Sequence, residues 1–222
     1  MKKSSYLKLK FPTSHCHLKD LFLSILLYAD DMALLSPSLK GLQSLLSATE
    51  QYCKTWDIML NAKKSKNLFF GKCHTLAPLK LDGKNIEWVS SWRYLGVTVQ
   101  SHSSFNCCID DKVKSFYRCA NSILRIEGRS SEPVMLQLLE SHCLSILTYA
   151  IEVIHVANSD ERRRLRVAYN SLFRKTFNYR NWESVTELQH ALNRPTWEEL
   201  VAKRRKSFQE RISQTEFFKL IV

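Results

Sequence analysis

Glycine and proline are scarce, with five of each in 222 residues, which argues against a long disordered tract. Cysteine is present without the pattern that a covalent framework needs. The seven cysteines, at 16, 53, 73, 107, 108, 119 and 143, are odd in number and contain no CxxC pair. A disulfide scaffold is therefore not expected, and the thiols read as reduced ones of an intracellular protein. His15-Cys16-His17 has metal-binding residue types, but adjacent residues do not converge on one ion without partners elsewhere, so no zinc site is read there. The charged start MKKSSYLKLKFP lacks a following apolar h-region, so no secretory signal is expected. The longest apolar stretch near the centre, CLSILTYAIEVIHV, is too short to span a bilayer and carries Glu152, so a soluble chain without a membrane partner is expected.

Acid is also in deficit. Against 33 Lys+Arg stand 21 Asp+Glu, a formal charge of +12. A balance of this sign, with aromatics interspersed, favours a polyanionic partner and nucleic acid before a membrane. The 45% hydrophobic content supports a real core, and the length allows one large domain or two small ones.

Residues 21 to 35 read as two short apolar strands around a tight turn, Tyr28 to Asp31, stopped by Ser36-Pro37-Ser38. The period then changes. Leu39, Leu42, Leu45, Leu46, Thr49, Cys53 and Trp56 recur at three- and four-residue steps, which predicts an amphipathic helix from Ser38 to Trp56. Pro37 suits its first turn and Ser36 its cap. A basic loop, LNAKKSKNLFF, leads to a short strand, and Asp82-Gly83 marks a hairpin turn. WRYLGVTV has the β-branched and aromatic content of a third strand.

Beyond about residue 105 the chain reads as helical. Ile109, Val113, Phe116, Ala120, Ile123 and Leu124 line one face of a first helix. A second is expected over 134–156 and a third over 160–178, and Thr196 with Glu199 has capping-box spacing for a last one. The fold class is thus α+β, with a β-rich part over 1–104 and an all-helical part over 105–222. In the helical part Arg162, Arg163 and Arg166 can share a helix face, as can Lys203 and Lys206, and such a surface suits phosphate contact.

The residues that need an explanation are Asp30 and Asp31, inside the apolar LLYADDMALL. Two adjacent carboxylates in a low-dielectric setting are costly unless a cation or solvent compensates them. A turn would place them in water. A hard divalent ion would use them as oxygen ligands, since Mg²⁺ takes one or two carboxylates plus substrate phosphates.

Tyr28-Ala29-Asp30-Asp31 framed by apolar strands resembles the YxDD box of reverse transcriptases, in the form typical of non-LTR (LINE-type) retrotransposons and group II introns. LNAKKSKNLFF is similar to the next palm motif of that family, and RYLGVTV resembles its primer grip, with YLG pointing to the LINE-type branch. The helical remainder, including ILTYAIEV around Tyr149 and Glu152, looks like the thumb and connecting region. The resemblance implies a partial polymerase palm of β-hairpins and an amphipathic helix, followed by a helical thumb. It implies Asp30 and Asp31 as ligands of Mg²⁺ or Mn²⁺, and Lys64 as the lysine near the nucleotide phosphates. Tyr28, Tyr94, Leu95 and Gly96 would lie near the primer terminus, with Arg162, Arg163 and Arg166 as further nucleic-acid contacts. Implied partners are an RNA template, a DNA primer and deoxynucleoside triphosphates, with nuclear residence following from how such elements integrate.

Only 27 residues precede Tyr28. The family's earlier palm aspartate and its fingers have no counterpart there, because Asp20 is too close. The expectation is therefore a polymerase part inactive by itself, with a non-catalytic nucleic-acid-binding remnant as the alternative. Apolar palm surface normally covered by the missing strands is expected to promote self-association.

Overall fold

The computed structural model describes residues 16–18, 21–71, 76–101, 106–126, 130–154 and 159–215. His15 lies outside them, as does the side chain of His17, so the HCH motif is not described. The chain packs as two compact units that divide between Trp92 and Arg93. From sequence the change of architecture was expected near residue 104; the hairpin around residue 95 packs with the helices instead.

In the first unit, β1 (His17–Leu18) pairs with β2 (Leu21–Phe22) in a short antiparallel ribbon. The apolar segment expected as one strand breaks at Leu23-Ser24, and β3 (Ile25–Tyr28) then pairs with β4 (Asp31–Leu34). Helix α1 (Leu39–Thr55) follows. Its N-cap is Ser38, whose hydroxyl accepts the Gly41 amide at 3.1 Å, and not the expected Ser36. Ser36 instead braces the cap by donating to the Ser38 carbonyl at 3.0 Å, which leaves Pro37 outside the helix. Leu45, Leu46, Thr49 and Cys53 of the predicted face are buried, whereas Trp56 ends the helix exposed.

A three-stranded sheet of order β5-β7-β6 completes this unit, from β5 (Lys66–Asn67), β6 (Leu79–Leu81) and β7 (Lys84–Trp88). Asp82 and Gly83 both take positive φ, 51° and 72°, the primed turn that a two-residue hairpin requires. Strand alternation sends Leu79, Leu81 and Ile86 inward to meet Leu46, a core of four buried residues. β6 is an edge strand, and α1 covers that edge. The Gln43 amide donates to the Lys80 carbonyl at 3.0 Å and accepts the Lys80 N–H at 2.8 Å, much as another strand would.

The division falls within β8 (Ser91–Tyr94), which belongs to a sheet of order β10-β9-β8 with β9 (Val97–Gln100) and β10 (Asn106–Cys108) of the second unit. WRYLGVTV is therefore a hairpin rather than one strand, because Leu95 and Gly96 reverse the chain at φ 45° and 77°. Helix α2 (Asp110–Ile126) buries Val113, Phe116 and Ala120 as the periodicity predicts. The expected helix over 134–156 is interrupted. It runs as α3 (Glu132–Leu139), a π-helical turn over Glu140–Leu144 and α4 (Ser145–Thr148), then ends where Tyr149 turns to ψ 127° and Ala150 takes φ 53°. Helices α5 (Ser159–Thr176), α6 (Thr186–Ala191) and α7 (Trp197–Ser213) follow, and α7 carries the Thr196/Glu199 capping box. Their core centres on Phe116, Leu139, Leu147, Leu165, Leu172 and Phe173. Among the described residues no helix is long and apolar enough to cross a membrane.

Candidate functional site

Asp30 and Asp31 owe their position to a two-residue hairpin loop. Tyr28 lies directly across from Asp31, so Ala29 and Asp30 alone make the turn. Ala29 sits at φ 50°, a left-handed conformation that costs a non-glycine residue roughly 1–2 kcal/mol. The turn places both aspartates in solvent, and Leu27 and Tyr28 beside them are 58% and 65% exposed. The apolar neighbours in the sequence are therefore not burial partners in this chain.

The donor chemistry of the pair suits a hard divalent cation, which prefers carboxylate oxygen. Among the described residues no third His, Cys, Asp or Glu joins them to make a group of three. What the hairpin offers is two carboxylates on a short, rigid tip.

Lys64 occupies a separate turn built by Asn61. The Lys64 amide donates to the Asn61 side-chain oxygen and to its carbonyl, each at 3.1 Å, and the Ser65 amide donates to the same carbonyl at 3.0 Å. An asparagine that bonds its own following backbone is a turn-former, so Asn61 acts through the shape of the loop. The Lys64 side chain projects exposed, whereas Lys66 is tied to Glu87 at 2.5 Å and lies 5.8 Å from the Trp92 ring centroid. The structure does not join Lys64 to the aspartates by contact. It hangs both on one small core, with Leu34 of β4 and Leu60 and Ala62 of the lysine turn packed on the same cluster.

The sequence model of the reverse transcriptase (RNA-dependent DNA polymerase) family matches residues 9–99, the stretch that holds the aspartate hairpin, the lysine turn and the Leu95-Gly96 turn. Residues 9–99 are thus similar to a reverse transcriptase. The chain is 26% identical over 201 residues to a probable RNA-directed DNA polymerase from transposon BS of Drosophila melanogaster, covering 83% of this chain and 22% of that protein. It is 26% identical over 158 residues to the RNA-directed DNA polymerase from mobile element jockey of the same species, covering 67% and 17%. The jockey polymerase of Drosophila funebris is 25% identical over the same length. These are non-LTR elements, the branch to which YADD and YLG point. The chain thus spans about a fifth of the length of these curated relatives. No solved structure matches.

The other nucleic-acid contacts expected from the sequence fall in the second unit. Tyr94 is half-buried at the end of β8, next to the Leu95-Gly96 turn. Arg162, Arg163 and Arg166 of α5 do share one surface, with Arg205 of α7. They line a groove of about 490 Å³ whose floor includes Leu165, Trp197 and Val201. Their charge is partly offset, as Arg166 lies 3.6 Å from Glu198 and Arg163 3.9 Å from Asp160. Exposed pairs of this kind contribute little to stability.

Lys112 is the functional candidate that sequence reasoning passed over, because a lysine in the first turn of a helix carries no distinguishing pattern. It lines a groove of about 430 Å³ with Arg93, Thr98, Ser115 and Ser145, and it donates to the Tyr149 carbonyl. Burial pulls its ammonium down from 10.5 to about 8, while Glu152 and Cys107 act in the opposite direction. The folded value lies below that of free lysine, so between the two values the unfolded chain binds more protons. This group's contribution to stability is therefore lowest below about pH 8 and rises toward about pH 10.5. The urea midpoint of the wild type, measured relative to Lys112→Met, should climb between about pH 7.5 and about pH 9.5. A difference that stays flat across that range would refute the assignment.

Proposed function

We propose that this chain supplies the metal-binding hairpin and the following helical region of a non-LTR retrotransposon RNA-directed DNA polymerase. The observation that carries the reading is the two-residue turn of the Tyr28-Ala29-Asp30-Asp31 hairpin, which holds two carboxylates in solvent on a sequence of this family. Asp30 and Asp31 would hold Mg²⁺ or Mn²⁺, which when bound supplies charge for the attacking 3′-hydroxyl and the leaving pyrophosphate. Everything else is positioning and electrostatics. Lys64, free of ion pairs among the described residues, offers an ammonium to the nucleotide phosphates. Tyr28 presents an aromatic face beside the carboxylates, where a primer-terminal sugar or base can stack. The Tyr94–Gly96 turn meets the primer strand, and Arg162, Arg163 and Arg166 meet backbone phosphates of the RNA–DNA duplex. Nuclear residence belongs to this reading.

The test is association with a fluorescent RNA-template/DNA-primer hybrid. Binding should weaken steeply between about 50 and about 200 mM salt, as counterion release demands. Replacing Arg162, Arg163 and Arg166 together should flatten that slope; an unchanged slope would remove them from the interface.

The exposed Leu26, Leu27, Tyr28, Met32 and Leu35 of the hairpin form an apolar surface that we expect to drive self-association. Sedimentation velocity should show concentration-dependent oligomers that Leu27→Lys with Met32→Lys disperses. A monodisperse wild-type monomer would contradict this.

A further inference from the structure

The stretch ILTYAIEV is the one motif of the helical region to which the proposed chemistry gives no role. Its structure does. Tyr149 ends α4 with ψ 127°, and Ala150 at φ 53° reverses the chain behind it, which frees the ring from the helix. The Tyr149 hydroxyl then donates to the Leu95 carbonyl at 2.9 Å, across 54 residues of sequence. The same ring covers Gly96. A Cβ placed on that glycine would stand 2.9 Å from Tyr149 Cε1 and 3.3 Å from its Cζ and hydroxyl oxygen. On the other side Lys112 donates to the Tyr149 carbonyl, with its ammonium 5.8 Å from the ring centroid. Glu152, three residues on, is paired with Arg204 of α7 at 3.2 Å, which anchors the segment to the helical core.

The turn so gripped is one that needs gripping. Leu95 holds φ 45°, a conformation that a residue with a Cβ disfavours, and such geometry persists only where the surroundings over-determine it. A hydroxyl on the carbonyl of one turn residue and a ring filling the Cβ space of the next specify both. Glycine at 96 is then required twice, by its φ of 77° and by the ring.

We propose that Tyr149 is a positioning residue for the Tyr94–Gly96 turn, holding it in the geometry in which it meets a nucleic-acid duplex. The assignment rests on the reading of that turn as a nucleic-acid contact. Tyr149 itself touches no phosphate in this role, which separates it from a direct contact.

Tyr149→Phe keeps the ring and removes the hydroxyl. Hydrogen exchange across residues 93–100 should accelerate about fivefold, the effect of one net hydrogen bond, while exchange in α5 stays unchanged. Affinity for the RNA–DNA hybrid should fall by a similar about fivefold, with the salt slope unaltered because no cation is lost. Gly96→Ala supplies the second arm. It should accelerate exchange over 93–100 strongly in the wild type and much less in a Tyr149→Ala background, where only the φ penalty remains. Unchanged exchange in Tyr149→Phe, or equal effects of Gly96→Ala in both backgrounds, overturns the latch. Faster exchange with unchanged hybrid affinity overturns the positioning role. If the wild-type chain fails to bind the hybrid at all, the reading of the turn as a nucleic-acid contact falls, and with it the role proposed for Tyr149, whatever the exchange result.

Discussion

Asparagine at position 30 or 31 is expected to cut RNA-templated primer extension by more than about a hundredfold, since a metal-held transition state depends on several kcal/mol of charge stabilisation. The measurement uses a chimera in which the region N-terminal to Tyr28 comes from a related mobile-element polymerase, with the chain alone assayed beside it. Asparagine keeps the size and the turn propensity of aspartate, so the hairpin survives and the loss reports on charge. Ala29→Gly is the matching control. It relieves the left-handed strain at φ 50° without touching either carboxylate, and extension should persist. On the reading proposed above, in which this chain supplies only part of a polymerase, the chain alone is expected to give no extension. Full activity of either asparagine variant in the chimera would remove the metal role. Extension by the unaided chain would show that the site is complete without help.

Leu81→Ala should unfold much of the first unit. Deleting a buried leucine costs about 2–5 kcal/mol, and a core as small as Leu46, Leu79, Leu81 and Ile86 has little more than that to lose. The functional consequence follows from what packs on this core. Leu34 carries the strand that ends in Asp31, and Leu60 and Ala62 carry the turn that presents Lys64, so one substitution releases both. Hydrogen exchange in α1 and in β6–β7 should approach unprotected rates, with a corresponding loss of helical circular dichroism. Leu27→Ala is the comparison: the side chain is 58% exposed, and its truncation should leave protection intact. Retained protection in Leu81→Ala would mean that the first unit is stabilised by more than the cluster described.

The helix faces were legible because their period is local. Val113, Phe116 and Ala120, or Leu45, Leu46 and Cys53, announce the buried side of a helix without reference to anything else in the chain. The two turns Ala29-Asp30 and Asp82-Gly83 were also readable, since apolar strands flank a short segment with aspartate in each, although only the structure shows that Ala29 takes the left-handed conformation. The cap of α1 was misplaced by two residues, as Ser36 and Ser38 flank Pro37 and only geometry chooses between two serines. The helix expected over 134–156 ended early because Ala150 takes a conformation that its own identity disfavours.

By itself, then, the sequence determined the local elements: an aspartate pair on a hairpin, a lysine in a basic turn and the family that their motifs resemble. These depend on short segments whose conformational preferences act within a few residues. Tertiary structure decided what holds those segments. Gln43 closes the edge of β6, one four-residue core suspends both halves of the candidate site, and Tyr149 grips a turn 54 residues away. Such contacts arise only after the chain has collapsed, because each pairs groups whose partners are set by packing and not by neighbours in the chain.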